Sequence, residues 1–166
     1  MNDPSRQTLH LAERGVGLGL FLGSGLFLSQ PVHAESEKET IQQVVGYYDA
    51  LRRGPIEAAS FYGEPAIVVL PDEVLPLNKR ADVEAFLTKL LSPFKSLGFS
   101  HATVSDPRIK MLSETAAIVS TVAIRYKTDG SELPRGGFTY LLHKGPSGWK
   151  IHELVATDID KLVSPN

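Results

Sequence analysis

The sequence predicts an α+β domain, with helices in the first part of the chain and an antiparallel sheet in the second. Before Phe99 most apolar residues recur at helical spacing, and from Phe99 onward they alternate with the period of two that strands require. Turn-forming segments separate the alternating runs, so consecutive strands are expected to pair as a meander. Helices followed by strands is the order typical of α+β domains.

Composition restricts the class of protein. The chain has 166 residues, of which 42% are hydrophobic and 22% charged, the ordinary usage of a globular domain. Its 17 basic and 19 acidic side chains give a net charge of −2, which argues against a nucleic-acid-binding protein. The chain contains no cysteine, and no spacing of histidines and carboxylates indicates a metal site. We therefore expect neither a metal nor a cofactor.

The start of the chain has the layout of a secretory signal peptide. Arg14 precedes an uncharged apolar run at 15–28, and Val32-His33-Ala34 places small residues where a signal peptidase cuts. This pattern predicts cleavage after Ala34 and a periplasmic or secreted protein that has no membrane contact once the signal is removed. The predicted division is a signal peptide at 1–34, one domain at 35–160 and a tail at 161–166.

Two alternatives to export stay open. The first is a retained membrane anchor, although the 14 residues of the apolar run are too few to span a bilayer as a helix. The second is a cytosolic protein whose start codon has been set too early.

Three helices are predicted ahead of the sheet. The first begins at a capping box formed by Ser36 and Glu39 and ends at Gly54-Pro55. A short second helix covers 56–62, and a third begins near Asn78. The apolar stripe of the third helix has the spacing of one helix face and consists of Val83, Phe86, Leu87, Leu90 and Leu91. Between the second and third helices we expect short strands, at 66–70 and at most 74–77.

Four longer strands follow, over 100–112, 115–127, 136–144 and 149–158. Proline cannot donate a backbone hydrogen bond, so Asp106-Pro107 predicts a bulge in the first of them. Asp129-Gly130 is expected to open a longer loop that ends at Gly137. The segment from Gly145 to Gly148 predicts the last hairpin turn.

With these elements in place, the chain resembles the nuclear-transport-factor-2-like (NTF2-like) superfamily, to which ketosteroid isomerase and the SnoaL-type polyketide cyclases belong. The resemblance covers Ser36 to about Asp160. It is carried by Tyr47-Tyr48-Asp49-Ala50-Leu51 before Gly54, by the helix after Asn78-Lys79-Arg80, and by Phe138-Thr139-Tyr140 leading to Gly148-Trp149-Lys150-Ile151. It implies a curved, mostly antiparallel sheet wrapped around the helices as a cone, with an internal apolar pocket.

The resemblance implies no reaction, because this fold hosts enzymes and binding proteins alike. The isomerase pattern places a tyrosine where Tyr47 stands, a general-base aspartate near Leu70 and a protonated aspartate near Phe138. Both carboxylates are missing here, and with them the isomerase's proton-transfer chemistry. The His-x-His that many relatives carry after Trp-Lys-Ile is replaced by Glu153 and Val155.

Hairpin geometry predicts which side chains share the pocket face. If Pro146 and Ser147 turn the chain, Tyr140 faces Glu153 on the more apolar side of the sheet. The predicted pocket residues are Tyr47, Phe86, Phe138, Tyr140, Leu142, Ile151, Glu153 and Val155. A carboxylate in apolar company is a candidate functional group, and Glu153 is the only catalytic candidate. Its structural interpretation is a hydrogen bond to Tyr140 or to an arginine.

Two functions therefore remain open. The favoured one is an exported, non-catalytic pocket or interaction domain that binds a small apolar ligand or a protein partner. The alternative is an isomerase- or cyclase-type enzyme that uses Glu153 as acid or base and Tyr47 or Tyr140 as a hydrogen-bond donor.

The outer face of the sheet often forms a dimer in the family that the chain resembles. The second long strand alternates bulky residues with a small, mostly apolar set, and we assign the bulky set to the interior. The small set then predicts a homodimer that packs Val119, Thr121 and Ala123 across a two-fold axis.

Overall fold

The computed structural model describes residues 30–163, with side chains from Ala34 onward. The predicted signal sequence up to residue 29 and the last three residues of the predicted tail lie outside the described residues. Export therefore stays a prediction. The proposed cut after Ala34 falls within the first helix of the structure.

The structure confirms the α+β class and the order of elements. The helices are α1 (Gln30–Arg53), α2 (Pro55–Ala59) and α3 (Arg80–Ser96). The strands are β1 (Tyr62–Val69), β2 (Val74–Leu77), β3 (Phe99–Met111), β4 (Ala116–Lys127), β5 (Glu132–Gly145) and β6 (Gly148–Thr157). A short 3-10 turn at Ile159–Lys161 follows.

All six strands form one curved sheet in the order β2-β1-β6-β5-β4-β3. Neighbouring strands are antiparallel except for β1 and β6, which run parallel. The helices pack against one face of this sheet, called the inner face below, and the opposite face is called the outer face. The hydrophobic core lies between the inner face and the helices, and aromatic residues from α1 reach across it to β5.

The start of α1 differs from the prediction. The helix begins at Gln30, so Ser36 and Glu39 lie inside it and form no capping box. The carboxylate of Glu39 instead accepts hydrogen bonds from Lys144 Nζ at 2.7 Å and from Trp149 Nε1 at 3.0 Å. Glu39 therefore ties α1 to the β5–β6 hairpin rather than to its own backbone.

The predicted bulge in β3 is present. The register of β3 against β4 shifts between Ser105 and Arg108, and Asp106 adopts a φ of 51°. Proline at 107 supplies no backbone donor to the ladder, which is why the pairing is interrupted here.

The prediction of a long loop after Asp129 is wrong. Asp129 Oδ1 accepts hydrogen bonds from the backbone N–H and the hydroxyl of Ser131, which close a tight turn, and β5 begins at Glu132. Gly137 lies inside β5, where a Cβ would come within 2.3 Å of the backbone oxygen of Thr157. That glycine serves a close approach between strands, a requirement that turn chemistry does not reveal.

Candidate functional site

A small cavity of about 20 Å³ lies between α1, α3 and the inner face of the sheet. Its wall is aromatic and aliphatic, with tyrosine hydroxyls and one guanidinium as the polar groups. A volume of this size holds about one water molecule. The sequence around it explains the enclosure, because α1 and β5 both direct large rings into the core.

Three buried tyrosines line the cavity, and a fourth, Tyr62, packs against Tyr47 behind them. Tyr47 and Tyr48 come from α1, Tyr62 from β1 and Tyr140 from β5. The hydroxyls of Tyr48 and Tyr140 are 2.6 Å apart, and the hydroxyl of Tyr62 donates to that of Tyr47 at 3.4 Å. The rings meet edge to face, with centroids 5.2 Å apart for Tyr47 and Tyr48 and 5.5 Å apart for Tyr47 and Tyr62. Such pairs are a favourable arrangement of aromatic rings.

Burial keeps these phenols neutral. It raises the pKa of Tyr47 to about 12 and the pKa values of Tyr48, Tyr62 and Tyr140 well above the ordinary phenol value. A hydroxyl pair joined by one hydrogen bond uses one proton, so the accepting hydroxyl keeps its own proton for a third group. At neutral pH the cluster is therefore a source of hydrogen-bond donors rather than of bases.

Among the described residues that line the cavity, Arg125 alone carries a positive charge. It projects from β4, and its guanidinium carbon lies 4.4 Å from the ring centroid of Phe94 and 5.5 Å from that of Phe138. Nη1 donates to the backbone oxygen of Pro134 at 2.8 Å. In the part of the chain that the structure describes, no carboxylate forms a salt bridge with Arg125. Loss of water around the guanidinium lowers the pKa of Arg125, although an arginine remains charged at neutral pH.

Arg125 was missed as a site residue, although its signal is in the sequence. On β4 it lies two residues after Ala123 and four after Thr121, so all three share a face, and the sequence assigns that face to the outside of the molecule. With the faces of β4 assigned correctly, the same alternation places Arg125 at the cavity.

Glu153 does not lie in the pocket, contrary to the prediction. The hairpin register is as expected at Leu142 and Ile151, but it then shifts, so that Leu141 rather than Tyr140 pairs with Glu153. Leu154 takes the place opposite Tyr140 and is buried in the core. The extra residue of this β-bulge moves Glu153 to the outer face, beside Ile67, which is 44% exposed.

The same shift moves Val155, which pairs with Thr139 on the outer face instead of with Phe138. The remaining predicted pocket residues lie on the inner side. Tyr47, Phe138 and Tyr140 line the cavity, and Leu142 and Ile151 are fully buried in the core beside it. Phe86 lines a separate open groove between α3 and the β1–β2 end of the sheet.

The predicted dimer residues are on the wrong face. Val119, Thr121 and Ala123 have no exposed surface in the single chain, and Val119 and Thr121 pair with the inward-facing Tyr140 and Phe138. Bulky residues of α1 and β5 already fill the interior, so β4 must present small side chains beneath them. The assumption that the bulky residues of a strand point into the core fails for β4, because the large side chains in the core come from other elements.

The described part of the cavity wall carries no group that could act as a base near neutral pH. Among the described residues that line it, none is a carboxylate or an imidazole. Nor does the described part of the chain bring together three or more His, Cys, Asp or Glu side chains able to hold a metal ion. Over the same residues, no helix has the length and hydropathy needed to cross a membrane.

An open groove adjoins the cavity. It has a volume of about 280 Å³ and lies between α1 and β3. Tyr48 and Ala102 line both the groove and the cavity, so these two side chains form the wall between them. The groove is close to the lower size limit of small-molecule sites.

Comparison with known proteins places this geometry in a family. The sequence model of the family described as "NTF2-like protein (DUF6841)" matches residues 37–159. No curated protein matches the chain at a significant level.

Solved structures share the fold at low identity. An NTF2-like protein with a cystatin-like fold from Novosphingobium aromaticivorans is 11% identical, with a TM-score of 0.63 over 78% of this chain and 85% of that chain. An NTF2-like protein of unknown function from Shewanella oneidensis MR-1 is 24% identical, with a TM-score of 0.59 over 74% and 98%. A domain of unknown function from Nostoc punctiforme PCC 73102 is 18% identical, with a TM-score of 0.58 over 76% and 81%. These likenesses concern the fold alone.

Proposed function

Because the chain belongs to the NTF2-like family DUF6841, whose fold by itself implies no activity, we propose from the chemistry of its cavity that it is a non-catalytic ligand-binding domain. The ligand is a small apolar molecule that carries one anionic group. The observation that carries this proposal is Arg125, a half-buried cation at an aromatic cavity with no carboxylate partner in the described residues.

The guanidinium of Arg125 is suited to a carboxylate. It has five N–H donors in a planar fork, and in the described residues only Nη1 has a hydrogen bond, to Pro134. A carboxylate can accept two parallel hydrogen bonds from such a fork. The hydroxyl pair of Tyr48 and Tyr140 offers a further donor, and the rings of Phe94 and Phe138 offer apolar contact.

The cavity must widen to admit more than water. The α3 side of its wall is formed by Leu90, Leu91 and Phe94, which flank Pro93 inside the helix. Proline cannot donate the backbone hydrogen bond to residue i−4, so this turn of α3 lacks one of its helical bonds. We infer that Leu90 and Phe94 move aside at the lowest cost and that the ligand enters past them or past Tyr48.

The only catalytic candidate of the alternative, enzymatic function does not lie at the cavity. Glu153 lies on the outer face, and the cavity is lined by neutral phenols. A group that donates hydrogen bonds but cannot accept a proton near neutral pH binds an acceptor without transferring protons. The arrangement therefore supports binding over proton abstraction.

A matched pair of probes tests the proposal. Benzoate and benzamide have nearly the same shape, but only benzoate carries a charge. We expect calorimetry to show benzoate binding at least about tenfold more tightly than benzamide, because hydrogen bonds to a charged group contribute about 1.5–3 kcal/mol.

The variant Arg125→Gln should remove this preference, whereas Arg108→Gln, a half-buried arginine on the outer face, should keep it. Equal affinity for the two probes, or an unchanged preference in Arg125→Gln, would contradict the anionic ligand. Turnover of a cavity-bound ligand would contradict the non-catalytic assignment.

A further inference from the structure

A second open groove adjoins the cavity at α3. It lies between α3 and the β1–β2 end of the sheet and has a volume of about 250 Å³. Leu90 and Phe94 line both this groove and the cavity, so these two side chains form the wall between the two spaces. We call this space the α3 groove.

The α3 groove is lined mainly by apolar side chains. Leu70 and Leu75 line it from the sheet side, and Phe86 lines it from the helix. Glu73 and Lys89 also belong to its lining, but both are exposed, and Lys89 Nζ lies 4.0 Å from Glu73 Oε1. The two charges therefore offset each other at the edge of the groove. Partly exposed apolar side chains gathered in one concave surface are typical of a binding site.

The wall between the α3 groove and Arg125 consists of side chains that can rotate. The guanidinium carbon of Arg125 lies 4.4 Å from the ring centroid of Phe94, so the ring that closes the groove also covers the cation. Leu90 and Phe94 are both half-buried and lie one helical turn apart, a spacing at which Cβ atoms are about 5–6 Å from each other. A gap of that width admits an unbranched chain more readily than a branched or fused-ring molecule.

The groove between α1 and β3 also adjoins the cavity, but it suits an apolar chain less well. Tyr48 forms part of its wall toward the cavity, and the Tyr48 hydroxyl is hydrogen-bonded to that of Tyr140. Opening this wall would leave buried hydroxyls without partners, and Asp49 lines the groove beyond it. Moving Phe94 costs only its contact with the guanidinium, which a bound carboxylate replaces.

Building on the proposed function, in which Arg125 binds the anionic group, we propose that the ligands are unbranched alkyl carboxylates. The carboxylate lies at Arg125, and the alkyl chain passes between Leu90 and Phe94 into the α3 groove. The cavity, at about 20 Å³, has no room for the chain, so the apolar part of the ligand must lie outside it. The groove supplies the missing volume, and with it the site approaches the roughly 300 Å³ at which small-molecule sites begin.

A chain-length series measured by calorimetry tests the ligand class. Butanoate, hexanoate and octanoate carry the same head group and differ only in the number of methylenes that can reach the α3 groove. We expect affinity to rise about threefold per methylene and octanoate to bind at least about tenfold more tightly than butanoate. Longer chains should show no further gain once the groove is full, because the added methylenes stay in water.

Variants of the α3 groove separate the chain from the head group. Leu75→Asn should weaken octanoate at least about fivefold and leave butanoate unchanged, because only the longer chain reaches the groove. Leu70→Asn repeats the test from a neighbouring position, and melting curves check that both variants fold. Leu112→Asn, at a leucine that is 51% exposed outside the groove, is the matched control and should change neither affinity. Arg125→Gln should weaken both probes by the same factor.

The outcomes distinguish this proposal from the proposed function. If benzoate binds through Arg125 but octanoate binds no more tightly than butanoate, the alkyl class is overturned and the anionic ligand stands. An octanoate affinity that both groove variants leave unchanged would overturn it in the same way. If Lys89→Gln weakens octanoate and Arg125→Gln does not, the carboxylate lies at the edge of the groove, and both proposals fall. Equal binding of octanol and octanoate would also overturn both.

Discussion

At the scale of single residues, polar side chains of α1 form hydrogen bonds with side chains from the sheet. The short contact between the hydroxyls of Tyr48 and Tyr140 joins α1 to β5 inside the core, and Glu39 joins α1 to the β5–β6 hairpin at its edge. Each pair is non-local, so neither is visible in sequence spacing. Sequence spacing places Tyr48 in the first helix but does not show which group its hydroxyl meets.

The tyrosine pair makes a testable prediction. Tyr140→Phe leaves the Tyr48 hydroxyl buried without its partner and should lower the free energy of unfolding by about 1–3 kcal/mol. Tyr48→Phe should do the same, and the double variant should lose less than the sum of the two. Denaturant unfolding of all three measures this, with Tyr126→Phe, a half-buried ring stacked on His101, as control. Strictly additive losses would show that the two hydroxyls are not coupled.

Glu39 makes a prediction about pH. Its hydrogen bond from Lys144, with a smaller contribution from Trp149, lowers the pKa of the Glu39 carboxyl in the folded state. Stability from this contact is therefore complete above the ordinary glutamate pKa and is lost as pH falls through the lowered value. Glu39→Gln should melt at a lower temperature than wild type at pH 7, and the gap should narrow between about pH 5 and pH 3. A gap that is constant with pH would exclude the charged contact as its source.

At the scale of elements, the β6 bulge decides which residues reach the cavity. Hairpin arithmetic predicts the β5–β6 register correctly from the turn to Ile151 and fails at the next residue. The His152 ring packs over Gly63 of the parallel strand β1, and its Nδ1 lies 3.0 Å from the backbone oxygen of Pro65. The bulge thus coincides with contacts to a strand nearly 90 residues away, which a local pattern cannot report.

The close packing of β6 against β1 makes a testable prediction at Gly63. A Cβ at this position would lie 2.3 Å from the Cε1 and Nε2 atoms of His152, so Gly63→Ala must displace the ring. We expect a loss of about 1–3 kcal/mol in the free energy of unfolding, typical of overpacking. Gly145→Ala, where the added carbon meets nothing within 4 Å, is the control. In a His152→Ala background the Gly63→Ala loss should shrink, and an undiminished loss would mean that the ring is not the obstacle.

At the scale of the whole molecule, the sequence predicts the architecture better than the site. Periodicity is local, so the three helices, the meander and the β3 bulge were all predictable from their own segments. The faces of β4 were not, because which set points inward depends on what α1 and β5 have already placed in the core. Because the sequence assigns the two faces of β4 the wrong way round, it does not predict Arg125 at the cavity. For the same reason it places the buried residues Val119, Thr121 and Ala123 on the surface.

The proposed function rests on Arg125, which we expect to bind the anionic group of a small apolar ligand. The most direct measurement is a benzoate titration followed by the nuclear magnetic resonance signal of the Arg125 side-chain Nε–H, assigned by its disappearance in Arg125→Gln. We expect a saturable shift of this signal with benzoate and little shift with benzamide, since the charge is the only large difference between the probes. An Arg125 signal that stays still while benzoate binds, or one that moves equally with both probes, would contradict it.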